Sequence, residues 1–325
     1  MEDILSGGVS TEQITALLVA LRTKGEAVEE VVGFATAMRR HATHIFPAGH
    51  RVFGKALVDT CGTGGTARGT FNISTVAAFV VAGAGVRVAK HGNRSTGSRS
   101  GSADVLEALG VKIELPAPRL AQAIEEIGIG FLYAPAMHAA TRHAIAARQQ
   151  LRVHTVFNLL GPLTNPANAS AQIVGVYDAK VTALVAGTLG GLGVKRAFVV
   201  HGAGGLDEIS LSGESFVSEW RDGAVRSFSV TPEDFGLARA PLDAVRGGDA
   251  KQNAEIVHKI LGRPLLYRAH GAHRDIVLAN AAAALVAAGR AADFLEGVRV
   301  ATESIDSGAA REKLEALIRF TSAAV

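Results

Sequence analysis

Two glycine-rich loops lie between residues 58 and 101, each placed after an apolar run and ahead of a helix-forming stretch. The first reads VDTCGTGGTARGTFNISTVAAFVVAGAG and the second VRVAKHGNRSTGSRSGSADVLEALG. A strand that turns into a helix through glycines brings helix N-terminal amides to the strand's end. Glycine there lets the backbone approach a phosphate closely. Asn72, Ser74, Ser100 and Ser102 stand where those helix amides begin. Lys90, His91, Arg94 and Arg99 add positive charge or donors beside the same loops. The pairing predicts a polyanion cradle for a phosphorylated small molecule.

Taken alone, the first loop reads equally well as an ordinary strand-to-helix turn. Gly64 and Gly69 have P-loop spacing, but Thr70-Phe71 follows where a P-loop needs Lys and then Ser or Thr. Gly62, Gly64 and Gly69 also miss the GxGxxG spacing of dinucleotide folds. Two such loops with a Lys-His-Gly-Asn-Arg string between them favour the cradle.

The 325 residues suffice for two structural units, or one large α/β unit with a helical appendage. An apolar content of 48% supplies a sizeable core, and 19% charged residues excludes a disordered chain. The lone Cys61 forms no internal disulfide and fits a reducing cytoplasm, as a buried structural thiol. The start MEDILSGGVSTEQ lacks the basic and apolar regions of a signal peptide, and apolar stretches such as Val76–Val86 are short of a membrane span. A soluble cytoplasmic protein is expected. The net charge of +3 is spread among 30 acids with no dense basic stripe, which argues against nucleic acid as a partner.

The first 50 residues read as all-helical. Ser10-Thr11-Glu12-Gln13 is a capping-box pattern, followed by Ile14, Leu17, Leu18 and Leu21 at helical spacing, and a second helix spans Val28–His41. From Lys55 short β-branched runs alternate with alanine-rich helices. Strands are expected at Ala56–Asp59, Arg87–Lys90, Lys112–Leu115, Gly130–Tyr133, Ala171–Tyr177, Ala197–His201 and Phe216–Trp220. The alternation predicts an α/β fold: a central, mostly parallel sheet covered on both faces, with a small all-helical lobe. Residues 136–152 read as one basic helix, and in VFNLLGPLTNP the residues Asn158, Gly161, Pro162 and Pro166 are expected to break regular structure. The implied division is a helical lobe of residues 1–50 with 136–165 packed against it. An α/β lobe of residues 51–135 and 166–325 would leave a cleft between the two.

Three further features bear on chemistry. Asp207 and Glu208, in HGAGGLDE after a strand, suit Mg²⁺ ligation beside a polyphosphate; a helix N-terminal acid pair is the equal alternative. Arg148 has the planar fork that pairs a carboxylate, although a lone helical arginine is more often a solvated surface residue. His138 and His143 on the same segment are open to a local structural role.

Seven strings occur in order: GTGG (62–65), TFNIST (70–75), KHGNR (90–94), GSADVLEALG (101–110), FNLLGPLTNP (157–166), HGAGGLDEIS (201–210) and GGDAKQNA (247–254). Together they resemble the anthranilate phosphoribosyltransferase family, and the likeness continues through RDIVLANAAAAL (274–285) and GVRVATESIDSGAA (297–310). The resemblance implies Mg²⁺-dependent transfer of phosphoribose from phosphoribosyl pyrophosphate to the amine of anthranilate, in tryptophan biosynthesis. It also implies a homodimer joined through the helical lobe. Phosphoribosyl pyrophosphate would be held by Gly62, Gly65, Thr66, Thr70, Asn72, Ser74, Thr75, Lys90, His91, Gly92, Asn93, Arg94, Ser98 and Ser102. Ser74, Asp207 and Glu208 would hold Mg²⁺. Gly62, Asn93, His91, His138 and Arg148 would contact anthranilate, and no dedicated acid or base is identified. Two alternatives share the architecture: a pyrimidine-nucleoside phosphorylase, and a non-catalytic paralogue that binds nucleic acid.

The chain departs from the family pattern in places. Thr66 and Gly204 stand where the family usually has Asp, Gly97 replaces a usual Ser, and Arg148 keeps neither its usual preceding Pro nor the basic–acidic pair after it. The start falls about one helix late relative to the family, which bears on the dimer contact.

Overall fold

The computed structural model describes residues 1–47, 56–64, 69–95, 97, 99–262 and 271–323. Its strands are Leu57–Gly62 (β1), Arg87–Gly92 (β2), Ile129–Tyr133 (β3), Ala171–Gly175 (β4), Arg196–Gly202 (β5), Ser215–Arg221 (β6) and Ala224–Val230 (β7). They form a single sheet in the order β3-β2-β1-β4-β5-β6-β7. The pairs from β3 through β5 are parallel, while β6 and β7 add an antiparallel hairpin at one edge. From β1 the chain first winds outward to β2 and β3, then returns to lay β4 on the other side of β1. That reversal opens a crevice at the carboxyl ends of β1 and β4, the place where open α/β sheets bind ligands.

Helices Glu2–Leu5 (α1), Thr11–Lys24 (α2) and Val28–Arg40 (α3) precede the sheet. Ile73–Gly83 (α4) joins β1 to β2; Ser102–Ala108 (α5) and Ala117–Glu126 (α6) join β2 to β3. Ala134–Met137 (α7), Ile145–Leu151 (α8) and Val156–Leu163 (α9) fill the long crossover to β4, and Thr182–Gly191 (α10) leads to β5. Ala250–Leu261 (α11), Ala272–Ala287 (α12), Phe294–Asp306 (α13) and Ala309–Ser322 (α14) follow the hairpin. The α/β reading, with N-terminal helices and a mostly parallel sheet, is what the structure shows.

Side-chain alternation along the central strands feeds two cores. Ile173, Phe198 and Val200 face a cluster with α4, α12, α13 and α14, whereas Val174, Ala197 and Val199 face one with α1, α2, α3, α9 and α10. Helix α4 is apolar on every side because the sheet and three helices enclose it; Phe79 and Val80 are fully buried. Helix α2 starts at the expected capping box: Gln13 N donates to Ser10 Oγ (3.3 Å) and Ser10 N to Gln13 Oε1 (3.1 Å).

Four expectations need correction. Lys112–Leu115 is extended but is not a strand. Val111, Ile113 and Leu115 point inward at period two, yet Lys112 N donates to Thr321 Oγ1 on α14 (3.2 Å), and β3 takes the place beside β2. Residues 136–152 are not one helix: His138 (φ −125°, ψ 51°) interrupts them, a 3₁₀ turn covers Ala139–Ala144, and α8 follows. VFNLLGPL is helical in α9, with Thr155 N donating to Asn158 Oδ1 (2.9 Å) at its start. Pro162 lies one residue from that helix's end, so its missing N–H removes only a terminal bond. Finally β7 went unseen, although Asp222-Gly223 (φ +51° and +84°) is the signal for a two-residue hairpin turn.

Helix α10 carries glycines toward both of its neighbours. A Cβ on Gly190 would lie 2.2 Å from the Trp220 ring of β6, and one on Gly191 would lie 2.7 Å from Val32 of α3. Trp220 is pinned by its indole N–H to Val194 O at 2.9 Å, so it has little room to retreat. In an exposed helix, Gly→Ala stabilises by about 1 kcal/mol. At Gly190 the overlap reverses the sign: Gly190→Ala is expected to lower stability by about 1–3 kcal/mol in urea unfolding. Gly33→Ala in α3, where nothing lies within 4 Å of the added carbon, is expected to raise it by about 0.5–1 kcal/mol. Equal effects of the two substitutions would refute the packing argument.

Candidate active site

The first glycine loop leaves β1 at Gly62 and is tied at once to the strands across the crevice. Thr63 N donates to Gly175 O (2.8 Å), Tyr177 N to Thr63 Oγ1 (3.1 Å), and Gly64 N to Asp207 Oδ2 (3.1 Å). Gly175, the last residue of β4, lets the acidic loop in: a Cβ there would lie 1.5 Å from the carbonyl oxygen of Asp207. After Thr70, the chain enters α4 with Asn72 as its N-cap residue. Ser74 N, in the first turn, donates to Glu208 Oε1 (3.2 Å). Asp207 and Glu208 thus meet the first loop from the far side of the crevice. They lie in the turn after β5 and not at a helix start, which removes the helix-terminus explanation for the pair.

The second loop leaves β2 through Lys90, His91 and Gly92. Lys90 is 3% exposed; its Nζ donates to Thr60 O and to Ser74 Oγ (3.3 Å). Burial lowers its proton affinity, while Asp59, Cys61 and Glu208 pull it back up. Asn93 O accepts from Ser102 Oγ (3.2 Å) and from Ala103 N (3.2 Å), so the loop closes onto the start of α5. Arg94 turns onto α5, with Nη1 and Nη2 at 2.5 and 2.9 Å from the Glu107 carboxylate and Nη1 at 3.1 Å from Asp104. Its charge clamps the loop to its own helix. Thr75 Oγ1, in the first turn of α4, is buried with no hydrogen-bond partner among the described residues. Gly65, Thr66 and Ser98 lie outside the described residues.

His91 and His138 form an edge-on pair with ring centroids 5.1 Å apart. His91 Nδ1 lies 3.2 Å from Gly161 O, which places the proton on that nitrogen and leaves Nε2 as a bare acceptor. Burial, then the neighbouring His138, pushes the His91 pKa down to about 3; burial takes His138 down to about 4. Both rings are therefore neutral, and Nε2 of each is buried with no hydrogen-bond partner among the described residues. Arg148 on α8 lies on the exposed side of that helix, with Cζ 5.6 Å from the Phe157 ring centre. His143 packs over the Gly7 turn and serves the helical region instead.

Ser74, Asp207 and Glu208 offer only hard oxygens: one hydroxyl and two carboxylates. Among the described residues no cluster of three His, Cys, Asp or Glu forms a complete cage. That partial set fits Mg²⁺, which keeps several waters and takes its other ligands from phosphate oxygens. Glu208 also fits electrostatically, since burial and then Asp207 raise its pKa to about 8 and a cation there would relieve the strain.

Sequence reasoning passed over the residues that hold these groups in place. Asp59 is fully buried on β1 and accepts from His91 N (3.0 Å) and Asn165 Nδ2 (2.8 Å); Asn165 donates also to Ala89 O (2.8 Å). Cys61 sits beside it with its thiol pKa raised well above the usual value by burial, an inert packing group.

Comparison with known proteins places the chain in a family. The chain matches the model of a glycosyl transferase family a/b domain over residues 54–311, and that family's helical bundle domain over residues 1–42. It is 53% identical over 322 residues to the anthranilate phosphoribosyltransferase of Solibacter usitatus, covering 99% of this chain and 92% of that one. The Symbiobacterium thermophilum enzyme of the same name is 52% identical over 98% of this chain and 90% of its own. Among solved structures, the Thermus thermophilus anthranilate phosphoribosyltransferase superposes with a TM-score of 0.91 at 44% identity, covering 99% of this chain and 93% of that one. The Saccharomyces cerevisiae enzyme, in complex with PRPP and Mg, superposes with a TM-score of 0.86 at 30% identity, over 96% and 86% of the two chains. With about half of its residues identical to these enzymes over nearly its whole length, this chain belongs to the anthranilate phosphoribosyltransferase family.

Proposed function

We propose that this protein transfers the phosphoribosyl group from phosphoribosyl pyrophosphate to the amine of anthranilate and releases pyrophosphate, a step of tryptophan biosynthesis. The observation that carries the reading is the meeting of three segments at the sheet's switch point: the β1 loop, the β2 loop and Asp207-Glu208. Gly64 N and Ser74 N bond across that crevice to the two carboxylates. Ligands of this kind are found in relatives. The yeast enzyme has been solved with PRPP and Mg, and also in complex with 4-fluoroanthranilate.

An aryl amine is neutral near pH 7 and already nucleophilic, so the chain needs no strong base to begin. The difficulty is the departing diphosphate, whose charge grows as the anomeric carbon–oxygen bond breaks. The Lys90 ammonium, held at the carboxyl end of β2, stabilises that charge from a fixed position. Lys90 Nζ uses two of its three protons on Thr60 O and Ser74 Oγ, leaving the third for a phosphate oxygen. Bound Mg²⁺, held by Ser74, Asp207 and Glu208, supplies further charge neutralisation on the diphosphate. At the acceptor end, Arg148 pairs the anthranilate carboxylate. The bare Nε2 of neutral His91 accepts a hydrogen bond from the amine, with His138 closing the pocket. Gly62 and Asn93 lie where donor and acceptor meet.

The helical lobe (residues 1–50 with 136–165) and the α/β lobe (51–135 and 166–325) enclose the cleft, and two copies pair through the helical lobe. Leu17 and Val19 on α2 and Ile145 on α8 support that pairing as apolar side chains at least a third exposed on helices that pack together. A cytoplasmic location accords with the single reduced cysteine, and no described helix is long and apolar enough to cross a membrane.

Arg148→Ala is expected to raise the anthranilate KM by ~10–100-fold with little change in the KM for phosphoribosyl pyrophosphate, as for a lost bidentate charge pair. Equal rises in both constants would sink its role. Loss of Mg²⁺-dependent turnover is expected when Asp207 and Glu208 are both changed to Ala; an unaltered Mg²⁺ titration would reject them as ligands. Acidity gives an independent check. With its pKa raised to about 8, Glu208 still holds its proton at pH 7 and yields it by pH 9. The calorimetric affinity for Mg²⁺ with inorganic pyrophosphate should therefore tighten more from pH 7 to 9 in the wild type than in Glu208→Gln, where only pyrophosphate's own last proton is lost, by a further factor of about ten. Matching profiles in the two proteins would count against the assignment.

A further inference from the structure

The string Gly247-Gly248-Asp249-Ala250-Lys251-Gln252-Asn253-Ala254 takes no part in the chemistry described above, yet it builds the second half of the first loop. Each residue from Gly69 to Asn72 is held by a residue between Arg246 and Asn253 or by His273 on α12. Gly247 N donates to Gly69 O (2.8 Å), Thr70 forms a β-bridge with Arg246, and the Phe71 ring lies 5.0 Å from that of His273. His273 Nε2 in turn lies 3.0 Å from Arg246 O. Gly247 is seated against the backbone of Phe71, where a Cβ would come within 2.5 Å. The last link is Asn253, 1% exposed, whose Nδ2 donates to Asn72 Oδ1 at 2.9 Å.

The direction of this last link is imposed from both ends. Gly248 N donates to Asn253 Oδ1 (2.7 Å), and a backbone N–H can only donate, so the oxygen of Asn253 must face Gly248. Its amide nitrogen then faces Asn72, whose own oxygen must turn toward Asn253 and whose Nδ2 donates to Ser100 O (3.1 Å). A carbonyl oxygen can only accept, which closes the chain with one polarity. Four groups from three segments are thereby locked: the α11 approach, the first loop and the second loop. Asn72 Nδ2 keeps one hydrogen that this chain of bonds does not use. Helix α11 does not need Asn253 for its own start, because Asp249 and Gln252 cap it reciprocally at 2.9 and 3.1 Å.

We infer that Asn253 is a positioning residue for the diphosphate end of the site: it fixes the orientation of the Asn72 amide and couples the two glycine loops into one rigid polyanion cradle. The inference rests on the proposed use of phosphoribosyl pyrophosphate. It extends that reading to a residue that touches neither substrate, 181 positions along the chain from the one it orients. Its effect should fall on the donor substrate alone, since Asn253 is linked to Asn72 and Ser100 and to no group placed at the anthranilate end.

The deciding variant is Asn253→Asp. It keeps the acceptor for Gly248 N and the shape of the side chain, and replaces only the donor to Asn72 by a second acceptor. Calorimetry of Mg²⁺–phosphoribosyl pyrophosphate is expected to show affinity about tenfold weaker, the size of one lost buried hydrogen bond. The KM for that substrate should rise to match, with the anthranilate KM close to wild type; the buried carboxylate lowers the thermal midpoint, so binding is measured well below it. The uncharged Asn253→Leu variant should weaken the same substrate, whatever it does to stability. In an Asn72→Ala background Asn253→Asp should add less than twofold, whereas simple repulsion by a new charge would add in full. Unchanged binding in Asn253→Asp, equal rises in both KM values, or full additivity with Asn72→Ala would each overturn the inference. If wild-type protein binds Mg²⁺–phosphoribosyl pyrophosphate without consuming anthranilate, and Asn253→Asp weakens that binding, the catalytic reading falls and the positioning role stands. Wild-type protein that binds no Mg²⁺–phosphoribosyl pyrophosphate overturns both.

Discussion

The close approach of the Asp207 backbone to the end of β4 is the constraint on which the site depends. Only a residue without a side chain fits beneath the Asp207 carbonyl, and Gly175 is that residue. Because Gly175 can accept the acidic loop on its face, Asp207 reaches Gly64 N and Glu208 reaches Ser74 N, so both carboxylates meet the first loop at once. The same glycine receives Thr63 N through its carbonyl. One residue at the carboxyl end of a central strand thus registers the β1 loop against the β5 turn, across the point where the strand order reverses. The helices behind the sheet, with α4 apolar on every side, hold that edge still.

Buried Lys90 carries its charge between acids: Asp59 and Glu208 both act on its ammonium. Asp59 can be fully buried because two donors, His91 N and Asn165 Nδ2, satisfy it, though burial still raises its pKa. This same bonding orients the strand end that carries Lys90 and His91. The two histidines avoid adding charge by remaining neutral, which suits an aromatic acceptor with an uncharged amine. Polarity here is arranged to receive ligands, and most of it comes from backbone groups whose positions the fold dictates.

How much of this could be read from residues alone depended on the range of the interaction. Local chemistry was legible: the Ser10–Gln13 capping box, the strand-to-helix glycine loops, and the β-branched runs that became β1, β2, β4, β5 and β6. Failures came where distant partners decide. Val111, Ile113 and Leu115 carry a strand's alternation, but Thr321 from the far end of the chain takes the Lys112 N–H and β3 takes the sheet position. Asn158 and Gly161 look like helix breakers, yet in α9 Asn158 receives the Thr155 N–H at the helix start. Lys90, Ser74, Asp207 and Glu208 stand out in the sequence because their types suit anion or metal binding, and the structure brings Lys90, Ser74 and Glu208 together. Asp59, Gly175 and Asn253 do not stand out, because what matters about them is which backbone group lies opposite.

The departures of this chain from its family bear on the same geometry. Gly204 replaces a usual carboxylate in the turn before Leu206-Asp207, and Thr66 replaces another in the first loop. The turn that carries Asp207 and Glu208 is nevertheless closed by its own backbone, Gly202 N donating to Leu206 O (2.8 Å) and Leu206 N to Gly202 O (3.1 Å). The acid pair is therefore aimed by main-chain bonds that do not need a side chain at residue 204. A side chain at residue 204 would point toward Leu242 and Ser212, away from the acid pair. The acids on the β5 side and the Lys90 ammonium on the β2 side are bridged by Ser74, whose N–H meets Glu208 and whose hydroxyl meets Lys90. Gly175 and the Asn253–Asn72–Ser100 chain fix the backbone on either side of that bridge.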